Sequence, residues 1–137
     1  MTDAVATAAW ITSPRHVELR TAPLGSLGPQ DVQIRTTYSA LSHGTERLAF
    51  RGEIDSKLAL DLPTFEGSFE LPLKYGYAAT GIVEAVGTAV TAVHCGDRAF
   101  ALHPHQDRFV CPEALTMPLP SDVSMRDGVF IAQVETA

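Results

Sequence analysis

The stretch "YGYAATGIVEAVGTAV" (Tyr75–Val90), followed after five residues by "GDRAF" (Gly96–Phe100), decides the fold. Gly76, Gly81, Gly87 and Gly96 recur at intervals too short for helices, and the residues between them are rich in valine, isoleucine and alanine. Glycine at such spacing marks tight turns or close passage of one backbone past another. "TGIVEAVG" (Thr80–Gly87) therefore reads as a compact strand, with Ile82, Glu84 and Val86 on one face and Val83 and Ala85 on the other. Gly96–Asp97 is a turn signal that sends the chain back into the sheet as "RAFAL" (98–102).

The same punctuation continues outward. "HVELR" (His16–Arg20) alternates with Val17 and Leu19 on one side. "PLGSLGPQ" (Pro23–Gln30) is a turn-rich link into "DVQIRTTYSA" (Asp31–Ala40), a strand with Val32, Ile34, Thr36 and Tyr38 on one face and a wet opposite face. A short helix is expected after Gly44, with Thr45 as a candidate cap and Gly52 as its end. Residues 53–73 mix aliphatic side chains, carboxylates and prolines without a period, and read as an irregular excursion such as a flap. "DRFVCPE" (Asp107–Glu113) is another strand, and "HPHQ" (His103–Gln106) reads as a hairpin loop joining it to "RAFAL", with its histidines solvated at the tip. "SDVSMRDGVFIAQVETA" (Ser121–Ala137) begins like a helix that Ser121 or Asp122 could cap, against the weakening effect of Gly128.

A chain of 137 residues with 45% apolar and 19% charged residues has one domain's worth of core. No run of apolar residues is long enough to span a membrane, and "MTDAVATAAWITSPRHVELR" lacks the pattern of a signal peptide. A net charge of −6 without a basic cluster argues against nucleic acid as a partner. Two cysteines, Cys95 and Cys111, are too few for a disulfide framework, and a cytoplasmic setting is expected.

The ordered set Gly76, Gly81, Val83, Val86, Gly87, Val90 and Gly96–Asp97–Arg98 resembles the N-terminal, GroES-like catalytic domain of the medium-chain dehydrogenase/reductase superfamily, which includes zinc alcohol dehydrogenases and quinone reductases. "SHGTE" (Ser42–Glu46) sits where that family has a C-G-T-D-like loop, "RFVCPE" where it has an aromatic strand, and "PLPSDVSMRDGVFIAQVETA" where the chain leads into its nucleotide-binding domain. The "GTE" loop is also similar to that of bacteriochlorophyllide dehydrogenases. The resemblance implies a mostly β (α+β) fold: a GroES-like, partly open β-barrel with short helices over residues 1–120. Residues 121–137 would then start a connecting helix toward an absent nucleotide-binding Rossmann domain.

The resemblance also supplies candidate site residues. In the zinc branch a loop cysteine and a histidine after the first frame glycine bind the metal, and a glutamate follows. Here those positions hold His43, Tyr77 and Ala78. Neutral tyrosine is a poor zinc donor, with a free pKa of about 10, and alanine has no donor at all. The cysteine-rich structural-zinc lobe is replaced by "ALHPHQD" (101–107), so no zinc is expected. An unrelated set of His103, His105 and Cys111 matches no known spacing. The implied catalytic residues are Thr45, as the hydroxyl near the substrate oxygen; Glu46, the acidic position after it; Tyr77, as a phenol donor; and His43, as a lining or proton-carrying group. Thr136 would approach the nicotinamide of NADP or NAD.

No G-x-G-x-x-G turn for seating a pyrophosphate lies within these residues. The expectation is the substrate-binding half of a zinc-independent NAD(P)H oxidoreductase, acting on a small molecule, inactive alone, and completed by a partner chain or self-association. The alternative is a non-catalytic barrel used for binding or assembly.

Overall fold

The computed structural model describes residues 4–59 and 67–136. It consists mostly of strands, with three short α-helices and one 3-10 turn. The strands are β1 (Val5–Ser13), β2 (His16–Pro23), β3 (Asp31–Ser39), β4 (Ala79–Val86), β5 (Arg98–Ala101), β6 (Arg108–Pro112) and β7 (Thr116–Pro118). The helices are α1 (Thr45–Arg51), α2 (Met125–Gly128) and α3 (Ile131–Thr136). β1 and β2 form a two-stranded antiparallel ribbon, and a five-stranded antiparallel sheet runs β6-β3-β4-β5-β7. The two sheets do not close on each other completely, which gives the partly open barrel that the glycine frame implied.

The core lies inside the five-stranded sheet. Val32 and Ile34 of β3, Val83 of β4 and Phe109 of β6 are sealed there with Ala99 and Cys111. Burial pushes the Cys111 thiol up to about 12, with the nearby Asp31 adding to the effect, so it behaves as a small apolar residue. Gly81 is required by contact: a Cβ there would lie 2.1 Å from the Arg35 carbonyl oxygen. On the outer face Glu84 receives Arg108 at 2.7 and 3.0 Å, Gln33 at 2.9 Å and Arg35 at 3.3 Å. Desolvation would raise the Glu84 carboxyl. Arg108 and Gln33, then Arg35, outweigh it and hold the group below the usual carboxylate value.

β1 was not evident in the sequence because small alanines blur its alternation, yet Ala6, Ala8 and Ile11 are its buried residues. It stitches the ribbon to the body through Ile11 and Leu73, which exchange backbone bonds at 2.8 Å, and through Ala9 N–H to the His105 carbonyl at 3.0 Å. β2 is a strand as expected, but Val17 and Leu19 do not form a buried face; they are 46% and 76% exposed, because β2 is the outer strand of the ribbon. Along β3 the expected common face also breaks. The register shifts between Thr36 and Tyr38, and Tyr38 is 45% exposed while Ile34 is fully buried.

Three further readings are corrected. β5 and β6 are not a hairpin: β5 pairs with β4 and β7, while β6 pairs with β3 on the opposite side of the sheet. Residues 102–107 therefore cross the end of the barrel instead of turning back. α1 starts at Gly44 with no side-chain cap, so Thr45 does not cap it, and Gly52 ends it. α2 is capped by Ser124, whose hydroxyl accepts the Asp127 N–H at 3.0 Å, and not by Ser121 or Asp122. Val129, which ends α2, and Ala132 of α3 join a second apolar cluster with Ala78, Phe100 and Leu119. Part of the excursion at 53–73, residues 60–66, lies outside the described residues.

Candidate functional site

The crossing loop 102–107 and the helix α1 meet over the mouth of the barrel. Glu46, in the first turn of α1, is buried at 6% exposure and points back rather than outward. One carboxylate oxygen accepts the Ser42 N–H and the other meets His105 Nε2 in a close ion pair. The Ser42 bond ties the loop before α1 to its first turn. The other ring nitrogen of His105, Nδ1, lies 2.8 Å from Ser39 Oγ at the end of β3.

The position of His105 is set from three sides. Its carbonyl is held by β1, its imidazole is held by Glu46 and Ser39, and its ring lies against Gly76. Gly76 has φ of 148° in the glycine-favouring region, and a Cβ there would come within 2.8 Å of His105 Cδ2 and Nε2. The first glycine of the frame thus makes room for an imidazole.

A cavity of about 690 Å³ opens beside this cluster, with Ala9, Ile11, Leu41, Phe50 and Tyr75 among its apolar lining and Ser39, His43, Glu46 and His105 among its polar lining. Such a cavity, apolar with a few convergent polar groups, is the usual form of a small-molecule site. A second, shallower cleft of about 530 Å³ shares Ala9, Ser39 and His105 and continues over Thr36, Gln106 and Asp107. Burial, reinforced by Tyr77 and Glu46 and opposed by a hydrogen bond with Thr45, pushes the Tyr75 hydroxyl up to about 12. It therefore stays protonated in any physiological range.

Of the residues expected from sequence, Glu46 and His43 are on the cavity wall. Thr45 is exposed and reaches the wall only through Tyr75. Tyr77 is half-buried between two apolar clusters, edge-on to Tyr75 with ring centroids 6.3 Å apart. The side chain of Thr136 lies outside the described residues. Sequence reading missed His105, Ser39 and Tyr75. The "HPHQ" histidines are not solvated at a hairpin tip: His105 is in the cluster, and His103 stacks on Phe109 at 3.9 Å between centroids.

His103 gives a testable titration. Burial, aided by Lys74 and opposed by the Pro104 carbonyl, lowers it to about 4. The folded chain therefore keeps it neutral where the unfolded chain, with a free value near 6.5, takes up a proton. Stability from this group is full above about pH 6.5 and is lost as pH falls toward 4. Urea unfolding across that window should lose roughly 2–3 kcal/mol from this group, and His103→Leu should flatten that part of the slope.

Among the described residues no group of three or more His, Cys, Asp or Glu side chains could hold an ion. Cys111 is in the barrel core, His103 lies on Phe109, and Ala78 at the family's glutamate position is fully buried.

No family profile matches the chain. Over 95 residues it is 36% identical to 2-desacetyl-2-hydroxyethyl bacteriochlorophyllide A dehydrogenase of Cereibacter sphaeroides, covering 69% of this chain and 26% of that protein. It is 27% identical over 124 residues to an alcohol dehydrogenase of Cupriavidus necator, covering 90% of this chain and 28% of that one. Among solved structures, a quinone oxidoreductase of Pseudomonas syringae superposes with a TM-score of 0.69 at 24% identity, over 90% of this chain and 36% of the other. The chain belongs with the medium-chain dehydrogenase/reductase superfamily. 2R,3R-butanediol dehydrogenase from Bacillus subtilis shares the fold at 17% identity and a TM-score of 0.72. The chain spans about a quarter of the length of the curated superfamily members it matches, 26% and 28%. Among the described residues no helix is long and apolar enough to cross a membrane.

Proposed function

We infer that this chain forms the substrate-binding part of a nicotinamide-dependent oxidoreductase that works without zinc. Its reaction is hydride transfer to or from a carbonyl, an alcohol or an activated alkene. The observation that carries this reading is the apolar cavity of about 690 Å³ into which Ser39, Glu46 and His105 present polar atoms. The dehydrogenases among the relatives support the reaction class. Tyr77 and Ala78 at the zinc-donor positions support the metal-free form.

NADP or NAD, bound mainly by protein outside this chain, supplies or accepts the hydride. Glu46 and His43 bound the substrate, Thr45 supports the wall behind Tyr75, and Tyr77 offers its phenol from the edge of the site. Thr136 approaches the nicotinamide. Exposed apolar side chains at Leu19, Phe130 and Val134 are covered by the rest of the enzyme or by a partner chain.

The complete protein should consume NADPH or NADH in the presence of a carbonyl substrate, and a chelator should leave the rate unchanged. A rate that chelation abolishes and zinc restores would overturn the metal-free reading.

A further inference from the structure

His105 and Ser39 line both cavities, whereas Glu46 lines only the larger one. The three side chains make one continuous chain of contacts: Glu46 to His105 Nε2, and His105 Nδ1 to Ser39 Oγ at 2.8 Å. Each nitrogen of the imidazole is thus committed to a different partner. We propose that Ser39, His105 and Glu46 form a proton relay that joins the substrate cavity to the second cleft, with Ser39 as the group that exchanges a proton with substrate oxygen. This rests on the oxidoreductase reading above.

The chemistry balances through two protonation states of His105. In the imidazolium, Nε2–H donates to Glu46 and Nδ1–H donates to Ser39 Oγ. In the neutral ring, Glu46 still holds Nε2–H and the bare Nδ1 accepts the Ser39 hydroxyl. When a carbonyl in the larger cavity is reduced, its carbon gains a hydride from the nicotinamide carrier and its oxygen gains the Ser39 proton. Ser39 recovers that proton from Nδ1, and the ring returns to imidazolium when Ser39, which also lines the second cleft, takes a proton from water there and passes its own to Nδ1. Alcohol oxidation runs the same path in reverse. Glu46 keeps its place throughout: it fixes the tautomer and ring orientation, as a buried carboxylate does for a shuttling histidine.

The surroundings suit that role. From α1, Arg47 joins Glu46 on the cavity wall, and His43 lies in the loop before it. Tyr75 comes from the segment before β4, and neighbouring Lys74 donates to Gln106 at 2.8 Å. β1 contributes Ala9, which carries no charge. On the loop itself the Asp107 carboxylate is taken by the Thr7 N–H at 2.8 Å, and His103 is stacked away on Phe109.

Two measurements on the complete protein test the relay. Selective ¹⁵N-histidine NMR reads the tautomer directly. The expected result is a neutral His105 carrying its proton on Nε2, a preference that Glu46→Gln should weaken. A neutral ring protonated on Nδ1 would overturn the relay, because that nitrogen could not take a proton from Ser39. The second measurement is kcat against pH. Ser39→Ala and His105→Gln should each lower kcat by about 10²-fold, remove the limb assigned to His105, and leave KM within a few-fold; free imidazole should restore part of the His105→Gln loss. A wild-type enzyme that turns over nicotinamide while both variants keep its rate and pH profile sinks the relay alone. A wild-type protein inert toward nicotinamide with every carbonyl and alcohol offered sinks the oxidoreductase reading, and the relay's role with it.

Discussion

Replacing Glu46 by alanine should lower the unfolding free energy by roughly 2–4 kcal/mol and reduce turnover of the complete enzyme by about 10²-fold or more. The residue is 6% exposed and its two oxygens have separate duties, one on the Ser42 N–H and one on His105. Truncation leaves the Ser42 N–H without the carboxylate that ties its loop to α1. It also leaves the imidazole without the group that orients it. Urea titration monitored by Trp10 fluorescence reads the first effect, and nicotinamide oxidation reads the second. Glu46→Gln keeps an acceptor for Ser42 and should recover most of the stability but little of the rate. A variant with wild-type stability and wild-type rate would show that the ion pair at the cavity is incidental.

Gly81→Ala should strongly disrupt the pairing of β3 with β4. The added carbon would sit 2.1 Å from the Arg35 carbonyl oxygen, 2.8 Å from its carbon and 2.8 Å from Ile34 Cγ2. Two of those atoms are backbone in the neighbouring strand β3, which is itself held on its other side by β6. No side chain can rotate away to relieve the contact, so β3 and β4 must separate at the bulge near Thr36. The loss should be at or above the upper end of the usual overpacking range of about 1–3 kcal/mol. Chemical denaturation checks it, with Gly96→Ala as the contrast. Nothing lies within 4 Å of a Cβ at Gly96, although its φ of 91° still strains a side chain there. An unchanged midpoint for Gly81→Ala would mean that the glycine frame is not set by strand contact.

The glycine frame was readable because its causes are local or nearly so. Turns, strand length and the inward face of Val83 follow from residue type and a period of two. β1 was missed for the opposite reason: alanine carries too little apolar contrast to show which side is buried, and the strand is recognisable only once Ile11 meets Leu73. The hairpin reading of "HPHQ" failed because pairing between strands is not a local property. A loop of the same length can turn back or cross the barrel end, and β3 and β4 had already taken the partners that a hairpin would need.

For the site, the family resemblance pointed to Glu46 and His43, and both line the larger cavity. The partner of Glu46 could not be found that way. His105 is 59 residues further on, and no period or motif links the two; they meet because the crossing loop is carried over α1 and because Gly76 leaves space for the ring. The amino-acid sequence alone determined a glycine-punctuated, mostly β fold with tyrosine and alanine at two positions of the family's zinc site, because both depend on what each side chain is. Only the tertiary structure decided that a carboxylate, an imidazole and a hydroxyl converge between two cavities, because that depends on which distant strands pair and where the loops between them must pass.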